Sequence, residues 1–361
     1  MKRLTAIVGF YLVCAALLLS SSDAQEKSLS AGRGTSGPVS PNAHQAKLQK
    51  MLDQARKAFE DGSNDDALHL SARVCRLQPN NVDALVILGG ALTRKKRYEE
   101  AIDCLTRAIE LDPKNAYAYV MRGRAHYHGA DSNLDAALKD LKKAVALDPH
   151  VRDGQFYLGV AYSTQSMTGK ALDCLNKAIK LDPDNANIYF FRSGVYSALK
   201  QHKKSIDDMS SYIRLKPRDS VGFLGRAAAY EQVGQYQKAI EDYTSALKIK
   251  ADDLRAYSLR AALYVKLRKL PLAIADYSKV LEHNSMDEDV LMKRADAYFA
   301  MHQYEKALKD YSDVIDMFPE HSSAAYEGRS MIYKIMGKAD LAAKDMKKAA
   351  EIRQRPAIKR I

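Results

Sequence analysis

A turn residue that recurs at a nearly constant interval constrains this chain more than any other feature. Segments with helical character end in turns of the Leu-Asp-Pro type, at Pro79, Pro113, Pro149, Pro183, Pro217, Ala251, Ser285 and Pro319. The spacings between these residues are 34, 36, 34, 34, 34, 34 and 34. Because a proline pushes the preceding residue out of helical geometry, each turn ends a helix. We therefore predict a row of similar helical units, each packed on its neighbours, rather than one globular core.

Three other places match in register with the turn. The eighth place of each unit is small, at Ala55, Gly89, Gly123, Gly159, Ser193, Ala227, Ala261, Ala295 and Ser330. An aromatic residue follows three places later in five units, at Tyr162, Tyr196, Tyr230, Tyr264 and Tyr298. An alanine opens the second helix of every unit but one, in which Ser205 replaces it. Small residues on both helices allow an antiparallel pair to approach closely.

This 34-residue pattern of paired amphipathic helices resembles the tetratricopeptide repeat family. The resemblance implies an all-α fold, a right-handed α-solenoid superhelix of about nine helix-turn-helix units within residues 45–356. The predicted units are 48–81, 82–115, 116–151, 152–185, 186–219, 220–253, 254–287, 288–322 and 323–356. The third unit has two extra residues around 129–133, and the ninth is shifted by one residue. Terminal units of such arrays face water on one side, which agrees with their more polar sequences.

The first 24 residues have the pattern of a signal peptide. Lys2 and Arg3 precede the apolar run Leu4–Leu19, and Ser22-Asp23-Ala24 offers a small-x-small cleavage site. The run has 16 residues, whereas a bilayer span needs about 20. We expect export to the periplasm or secretion. Two alternatives remain open: an uncleaved membrane anchor and lipidation at Cys14.

A linker is expected between the signal segment and the array. Residues 25–44 are rich in Ser, Gly and Pro and nearly free of large apolar side chains, so burial cannot offset the entropy lost on ordering. At the other end, residues 357–361 form a short basic tail. The formal net charge is +12, but most lysines and arginines are interspersed with acidic residues. We therefore expect a solvated surface rather than a nucleic-acid-binding one.

No catalytic signature is present, so we expect no enzyme activity, no small-molecule substrate and no cofactor or metal. Phosphate loops, zinc-protease motifs, Cys-x-x-Cys pairs and nucleophile elbows are all missing from the sequence. His126 and His128 are two apart and point away from each other on a helix, so we predict structural roles. The adjacent acidic pairs Asp207-Asp208 and Asp252-Asp253 are expected at exposed positions. Cys75, Cys104 and Cys174 are too few for a disulfide framework and are predicted to be apolar fillers.

The resemblance also implies a concave groove lined by the first helix of each unit. Mapped onto this sequence, the predicted partner-binding residues are Arg56, Phe59, Arg94, Arg124, Tyr127, Phe156, Phe190 and Phe299. Arginines beside aromatic rings suit an acidic-aromatic peptide or a C-terminal carboxylate. Further along, small apolar residues share one place and predict a shallow floor, at Val160, Gly194, Ala228 and Ala262. The tyrosines at one place of the second helix, Tyr243, Tyr277 and Tyr311, are predicted to pack in the core.

The leading functional hypothesis is a scaffold or adaptor that binds a protein or peptide segment in this groove. A holdase-like chaperone for exported or envelope proteins is the alternative. Relatives that hold the acidic tails of chaperones use Lys and Asn residues at groove places that here carry Arg56, Gly90, Arg124, Val160 and Gly194. That specialised role is therefore not expected. Membrane association is expected only if the signal segment stays uncleaved.

Overall fold

The computed structural model describes residues 41–129 and 133–354, with side chains from residue 45 onward. The predicted signal peptide, most of the predicted linker and the basic tail lie outside these residues. Within them the chain forms eighteen α-helices and no strand.

The helices form nine consecutive antiparallel pairs, one in each predicted unit. The first five pairs are α1 Pro41–Glu60 and α2 Asn64–Leu77, α3 Val82–Arg94 and α4 Tyr98–Leu111, α5 Ala116–His128 and α6 Leu134–Leu147, α7 Gly154–Thr164 and α8 Thr168–Leu181, α9 Ala186–Ala198 and α10 His202–Leu215. The other four are α11 Ser220–Gln232 and α12 Tyr236–Ile249, α13 Leu254–Lys266 and α14 Leu270–His283, α15 Glu288–Ala300 and α16 Tyr304–Met317, α17 Ser323–Ile335 and α18 Ala339–Gln354. The predicted all-α array of nine helix-turn-helix units is confirmed.

The start of the array differs from the prediction. Helix α1 begins at Pro41, whereas the sequence predicts a linker up to residue 44. Proline is well suited to the first turn of a helix, because its fixed φ is already helical and the missing N–H would have no partner there. A composition rich in Ser, Gly and Pro therefore concealed a helix start.

The chain divides into two compact bodies. The N-terminal body runs to Leu215 and contains α1–α10, and the C-terminal body starts at Lys216 and contains α11–α18. In each body a helix packs on the next helix along the chain. Small residues of the first helix face large ones of the second: a Cβ atom added to Gly89 would lie 2.5 Å from Leu105 Cγ. In the C-terminal body, Tyr243, Tyr277 and Tyr311 are buried, as predicted.

A row of buried ion pairs joins the two helices of six units. Each pair is a bidentate contact between an arginine of the first helix and an aspartate of the second, at N···O distances of 2.6–2.9 Å. The pairs are Arg122–Asp140, Arg192–Asp208, Arg226–Asp242, Arg260–Asp276, Arg294–Asp310 and Arg329–Asp345. The prediction that Asp208 is exposed was wrong, because its place faces the first helix and its charge is compensated there.

The turn between the helices of a unit uses one left-handed residue. Eight turns have a residue with φ between 57° and 85° at the same place: Gly62, Lys96, Ser166, Lys200, Gly234, Arg268, His302 and Gly337. A residue with a Cβ is strained in this conformation, whereas glycine is not.

This turn geometry predicts opposite effects for two substitutions. Gly234→Ala should lower the free energy of unfolding by about 1 kcal/mol, and Lys200→Gly should raise it by up to about 1 kcal/mol. A Cβ added to Gly234 meets no atom within 4 Å, so the first effect reports backbone strain alone. Urea denaturation of each variant measures both values. Equal effects of the same sign would contradict the assigned geometry.

Candidate functional site

Phe59 and Arg94 form a packed joint between the first and second units. The Arg94 guanidinium lies 3.7 Å from the centroid of the Phe59 ring, and its Nη1 donates to the Phe59 carbonyl oxygen and to Asn64 Oδ1. Phe59 is buried, and a Cβ added to Gly90 would lie 2.7 Å from its ring. Two of the predicted groove residues are thus committed largely to packing.

Arg56 is engaged as well, but at the surface. Its Nη2 lies 2.7 Å from Asp83 Oδ2, and both side chains are about half exposed. A surface ion pair of this kind contributes at most about 1 kcal/mol. Arg56 can therefore exchange Asp83 for another anion at little cost.

Arg124 is the least satisfied of the predicted arginines. Its Nε atom is buried and has no hydrogen-bond partner in the described part of the chain. The guanidinium lies 5.2 Å from the centroid of the Tyr157 ring, within the range of a cation–π contact. A buried donor without an acceptor is costly, so an incoming anion or carbonyl would find a strong partner here.

Arg124 and Arg152 both lie close enough to act electrostatically on Arg94, and we call Arg94, Arg124 and Arg152 the arginine cluster. Burial lowers the pKa of Arg94, and the charges of Arg124 and Arg152 lower it further. Burial raises the pKa of the Asp153 carboxyl, whereas Arg152 and Arg124 lower it. Asp153 is influenced by all three arginines and also by Asp182, so three guanidinium groups share this region with two carboxyls and positive charge is in excess.

Asp153 holds an unusual position at the start of α7. Most other first helices begin after an Asn or Asp whose side chain accepts a backbone N–H; Asp153 makes no such bond and has φ 61°. A left-handed non-glycine residue is strained, and such strain is often found at functional sites. Arg152, Asp153 and Phe156 also line a cavity of about 300 Å³, together with Leu181, Asp182 and Ile188.

The predicted aromatic groove residues differ in burial and in their contacts. Tyr127 is half-buried, and its hydroxyl lies 3.0 Å from Thr164 Oγ1. Phe156 is buried, packs on Phe191 and lines the cavity. Phe190 is fully buried between Phe191 and Tyr212, so its prediction as a groove residue was wrong: its place faces the second helix. Phe299 belongs to the C-terminal body, where it packs on Tyr304.

The predicted apolar floor is divided in the same way. Val160 and Gly194 belong to the N-terminal body, with Val160 buried and Gly194 half-buried. Ala228 and Ala262 belong to the C-terminal body, where Ala228 is half-buried and Ala262 exposed. The N-terminal body therefore contains one part of the predicted floor and the C-terminal body contains the other.

His128 makes the N-terminal body sensitive to acid. Its ring contacts Tyr127 and Tyr98, and burial, assisted by the charge of Arg124, lowers its pKa to about 4. The unfolded chain binds a proton near pH 6.5, so stability from the neutral ring is complete above that pH and is lost as pH falls towards 4. The loss should reach about 3 kcal/mol.

Comparison with a neutral variant isolates this effect from the titration of carboxylates. We expect any excess in unfolding free energy of the wild type over His128→Gln at pH 7 to become smaller, or to change sign, at pH 4.5. Urea denaturation at both pH values provides the measurement. A difference that does not change with pH would show that His128 titrates normally.

The described residues contain no group of three or more His, Cys, Asp or Glu side chains placed to hold a metal ion. None of the helices in the described ranges is both long enough and apolar enough to cross a membrane. Burial raises the pKa of the Cys75 thiol to about 11, and burial also raises the pKa values of Cys104 and Cys174. These thiols are therefore protonated near neutral pH, as expected of apolar fillers.

Sequence reasoning missed Arg152, Asp153 and Tyr157 as parts of this region. Arg152 and Asp153 lie in the turn before α7, outside the helical places from which the groove was mapped. The available signal was the start of the fourth unit, where Arg152 and Asp153 directly precede a helix that begins with Gly154. Tyr157 follows the mapped Phe156 by one residue and turns towards Arg124.

Family models match several stretches of the chain. One described as TPR repeat matches residues 89–129, and others described as Tetratricopeptide repeat match 122–186, 223–253, 289–321 and 323–356. These matches fall in both bodies and together cover more than half of the sequence.

Curated relatives resemble parts of the chain. "Anaphase-promoting complex subunit 3" of Schizosaccharomyces pombe is 26% identical over 94 residues, which cover 26% of this chain and 14% of the relative. "Small glutamine-rich tetratricopeptide repeat-containing protein 2" of Saccharomyces cerevisiae is 30% identical over 128 residues, or 35% of this chain and 36% of the relative. The chain thus spans well under half the length of both.

Among solved structures, the C-terminal part of a TPR repeat-containing protein from Cytophaga hutchinsonii is similar in fold. It superposes with a TM-score of 0.59 at 19% identity and covers 67% of this chain and 98% of its own length. This likeness concerns the fold alone.

Proposed function

Because the chain belongs to the tetratricopeptide repeat family, we propose that it is a protein-interaction scaffold whose N-terminal body captures an acidic peptide segment. The observation that carries the proposal is Arg124, which has a buried Nε without a partner beside two other arginines. A peptide carboxylate would satisfy this donor and reduce the repulsion within the arginine cluster.

Aromatic side chains beside the cluster favour a peptide that carries an apolar or aromatic residue next to its acid. Tyr117 and Tyr157 lie close enough to Arg94 and Arg124 for the arginine charges to lower their pKa values, against the larger effect of burial. The cavity beside Arg152 and Phe156 can accept one side chain of moderate size. Guanidinium groups supply the charge recognition and the rings supply contact area.

The proposal can be tested on an array of random octapeptides probed with the full chain. We expect enrichment of peptides that contain Asp or Glu next to a large apolar or aromatic residue, and loss of that enrichment in the Arg124→Glu variant. Enrichment of basic peptides, or the same enriched set with both proteins, would contradict the proposal. General suppression of aggregation of unfolded proteins, without sequence preference, would favour a holdase-like chaperone.

We further propose that the protein is exported. The support is the N-terminal sequence alone: a charged start, the apolar run Leu4–Leu19 and a cleavage site ending at Ala24. Mass spectrometry of the protein isolated from its own cells should find Gln25 at the N-terminus. An intact N-terminus in a membrane fraction would instead indicate an uncleaved anchor.

A further inference from the structure

Exposed apolar side chains are concentrated in the ninth unit, contrary to the polar surface expected of a terminal unit. Among the described residues, thirteen large apolar side chains are exposed, and five of them lie within a stretch of sixteen residues. These five are Met331, Ile335, Met336, Leu341 and Met346. The other eight are scattered over the first eight units, mostly as single residues, which is ordinary for a soluble surface. Where such residues share one face of the unit, they form a candidate interaction surface.

Met346 occupies a place of the second helix that is buried in the other units but exposed in the ninth. The same place of the second helix is buried in all eight preceding units, at Ser71, Leu105, Leu141, Leu175, Met209, Tyr243, Tyr277 and Tyr311. In the eighth unit it is covered by the next first helix, since a Cβ added to Gly328 of α17 would lie 2.5 Å from Tyr311 Cζ. In the ninth unit Met346 is 41% exposed. Its side chain therefore lies on a face that, in the eighth unit, is covered by a helix.

Met331 and Ile335 extend this face on the first helix. In the eighth unit the Tyr311 hydroxyl donates to Asp296 Oδ1, so the two places are neighbours. The equivalent residues of the ninth unit are Met346 and Met331. Ile335 lies one turn after Met331, and both are about half exposed. We call Met331, Ile335 and Met346 the terminal patch.

Lysines accompany the terminal patch on both helices and in the turn between them. Lys334, Lys338 and Lys347 are exposed and form no ion pair within the described ranges. The carboxylates of Glu327 and Asp345 are already paired with Arg353 and Arg329, which leaves Asp340 and Glu351 as the exposed acids of this unit. The surroundings of the patch thus have an excess of unpaired positive charge.

We propose that the terminal patch docks an amphipathic helix of a partner protein whose apolar face is flanked by acidic residues. A helix is the element that covers the equivalent face of the eighth unit, and methionine side chains adapt readily to a foreign apolar surface. The unpaired lysines select acidic flanks. A second copy of this chain would bring the same lysines, and residues 355–361 would add Arg355, Lys359 and Arg360. Charge therefore disfavours both as occupants.

The test uses a labelled amphipathic helical peptide with a leucine face and glutamate flanks, about sixteen residues long. A second peptide has lysine in place of every glutamate. Fluorescence anisotropy with the full chain should show at least about tenfold tighter binding of the acidic peptide. The double variant Met331→Gln and Met346→Gln should weaken it by about tenfold. Met286→Gln is the matched control, because Met286 is 69% exposed in another unit, and it should change nothing.

Two further measurements locate the peptide. Met331 and Met346 should be protected from oxidation when the acidic peptide is bound. Because such a peptide also suits the arginine cluster proposed above, the measurements are repeated in the Arg124→Glu variant, where both differences of about tenfold and the protection should persist. Equal binding of both peptides in that variant, or loss of the protection, would overturn the proposal. So would a wild-type dimer that the double methionine variant dissociates, or tighter peptide binding after deletion of residues 355–361. The first would identify a second copy as the occupant and the other would identify the chain's own tail.

Discussion

Replacing Asp276 with alanine is expected to lower the free energy of unfolding of the C-terminal body by about 3 kcal/mol. The carboxylate accepts two hydrogen bonds from Arg260, both at 2.8 Å, and its side chain is 8% exposed. Without Asp276, the Arg260 guanidinium would remain largely buried and keep only its bond to Thr244. Urea denaturation followed by circular dichroism measures the loss, and hydrogen exchange should place it in α13 and α14.

A double variant separates the pair's net contribution from the penalty of an unpaired charge. Arg260→Met combined with Asp276→Leu should recover most of the stability, because apolar replacement of a buried pair is often close to neutral. Lys279→Ala is the control within the same body, since Lys279 and Glu282 form an exposed pair, and it should leave the free energy of unfolding nearly unchanged. A double variant as unstable as the single one would show that the pair itself supplies the stability.

The second large effect concerns peptide binding. Arg124→Glu should weaken binding of an acidic peptide selected on the array by about 100-fold, or roughly 3 kcal/mol. The glutamate carboxylate would repel the acidic peptide, and the substitution would also remove the unpartnered Nε donor of Arg124. Isothermal titration calorimetry with the full chain measures the change. Arg124→Lys should recover only part of the affinity, because an ammonium cannot make the planar bidentate contact of a guanidinium.

Two charge-matched controls make this result specific. Arg107→Glu alters an exposed arginine of α4 that pairs with Glu110, and it should change the affinity less than threefold, or about 0.6 kcal/mol. Arg56→Glu should have an intermediate effect, since Arg56 is already paired with Asp83. Equal losses in all three variants would point to a general charge effect instead of a site at Arg124.

The fold could be predicted from the sequence because the same pattern occurs nine times. Nine copies of one pattern fix the helix pairs, their turns and the small residues where helices meet, even though any one copy is weak. The same logic could have found the buried ion pairs. Arginine recurs at the seventh place of six units and aspartate in the middle of the second helix. Considered alone, the adjacent acids Asp207 and Asp208 indicate an exposed position, and the prediction for Asp208 was wrong for that reason.

The candidate site could be predicted only in part. Place in a repeat tells which way a residue points on average, but not what its neighbours leave uncovered. Arg94 and Phe59 satisfy each other, and Phe190 turns into the core, because particular neighbours fit them. The strained Asp153 and the cavity beside it arise where the fourth unit departs from the pattern. Departures of this kind carry no repeated signal, so the repeat pattern cannot predict them.

Hydrogen–deuterium exchange of the full chain, with and without a selected acidic peptide, tests peptide capture by the arginine cluster most directly. Bound peptide should slow exchange in α5, in α7 and in the turn that carries Arg152 and Asp153, and the Arg124→Glu variant should show no such change. Slower exchange confined to the C-terminal body, or identical protection in the wild type and the variant, would contradict a binding site at the arginine cluster.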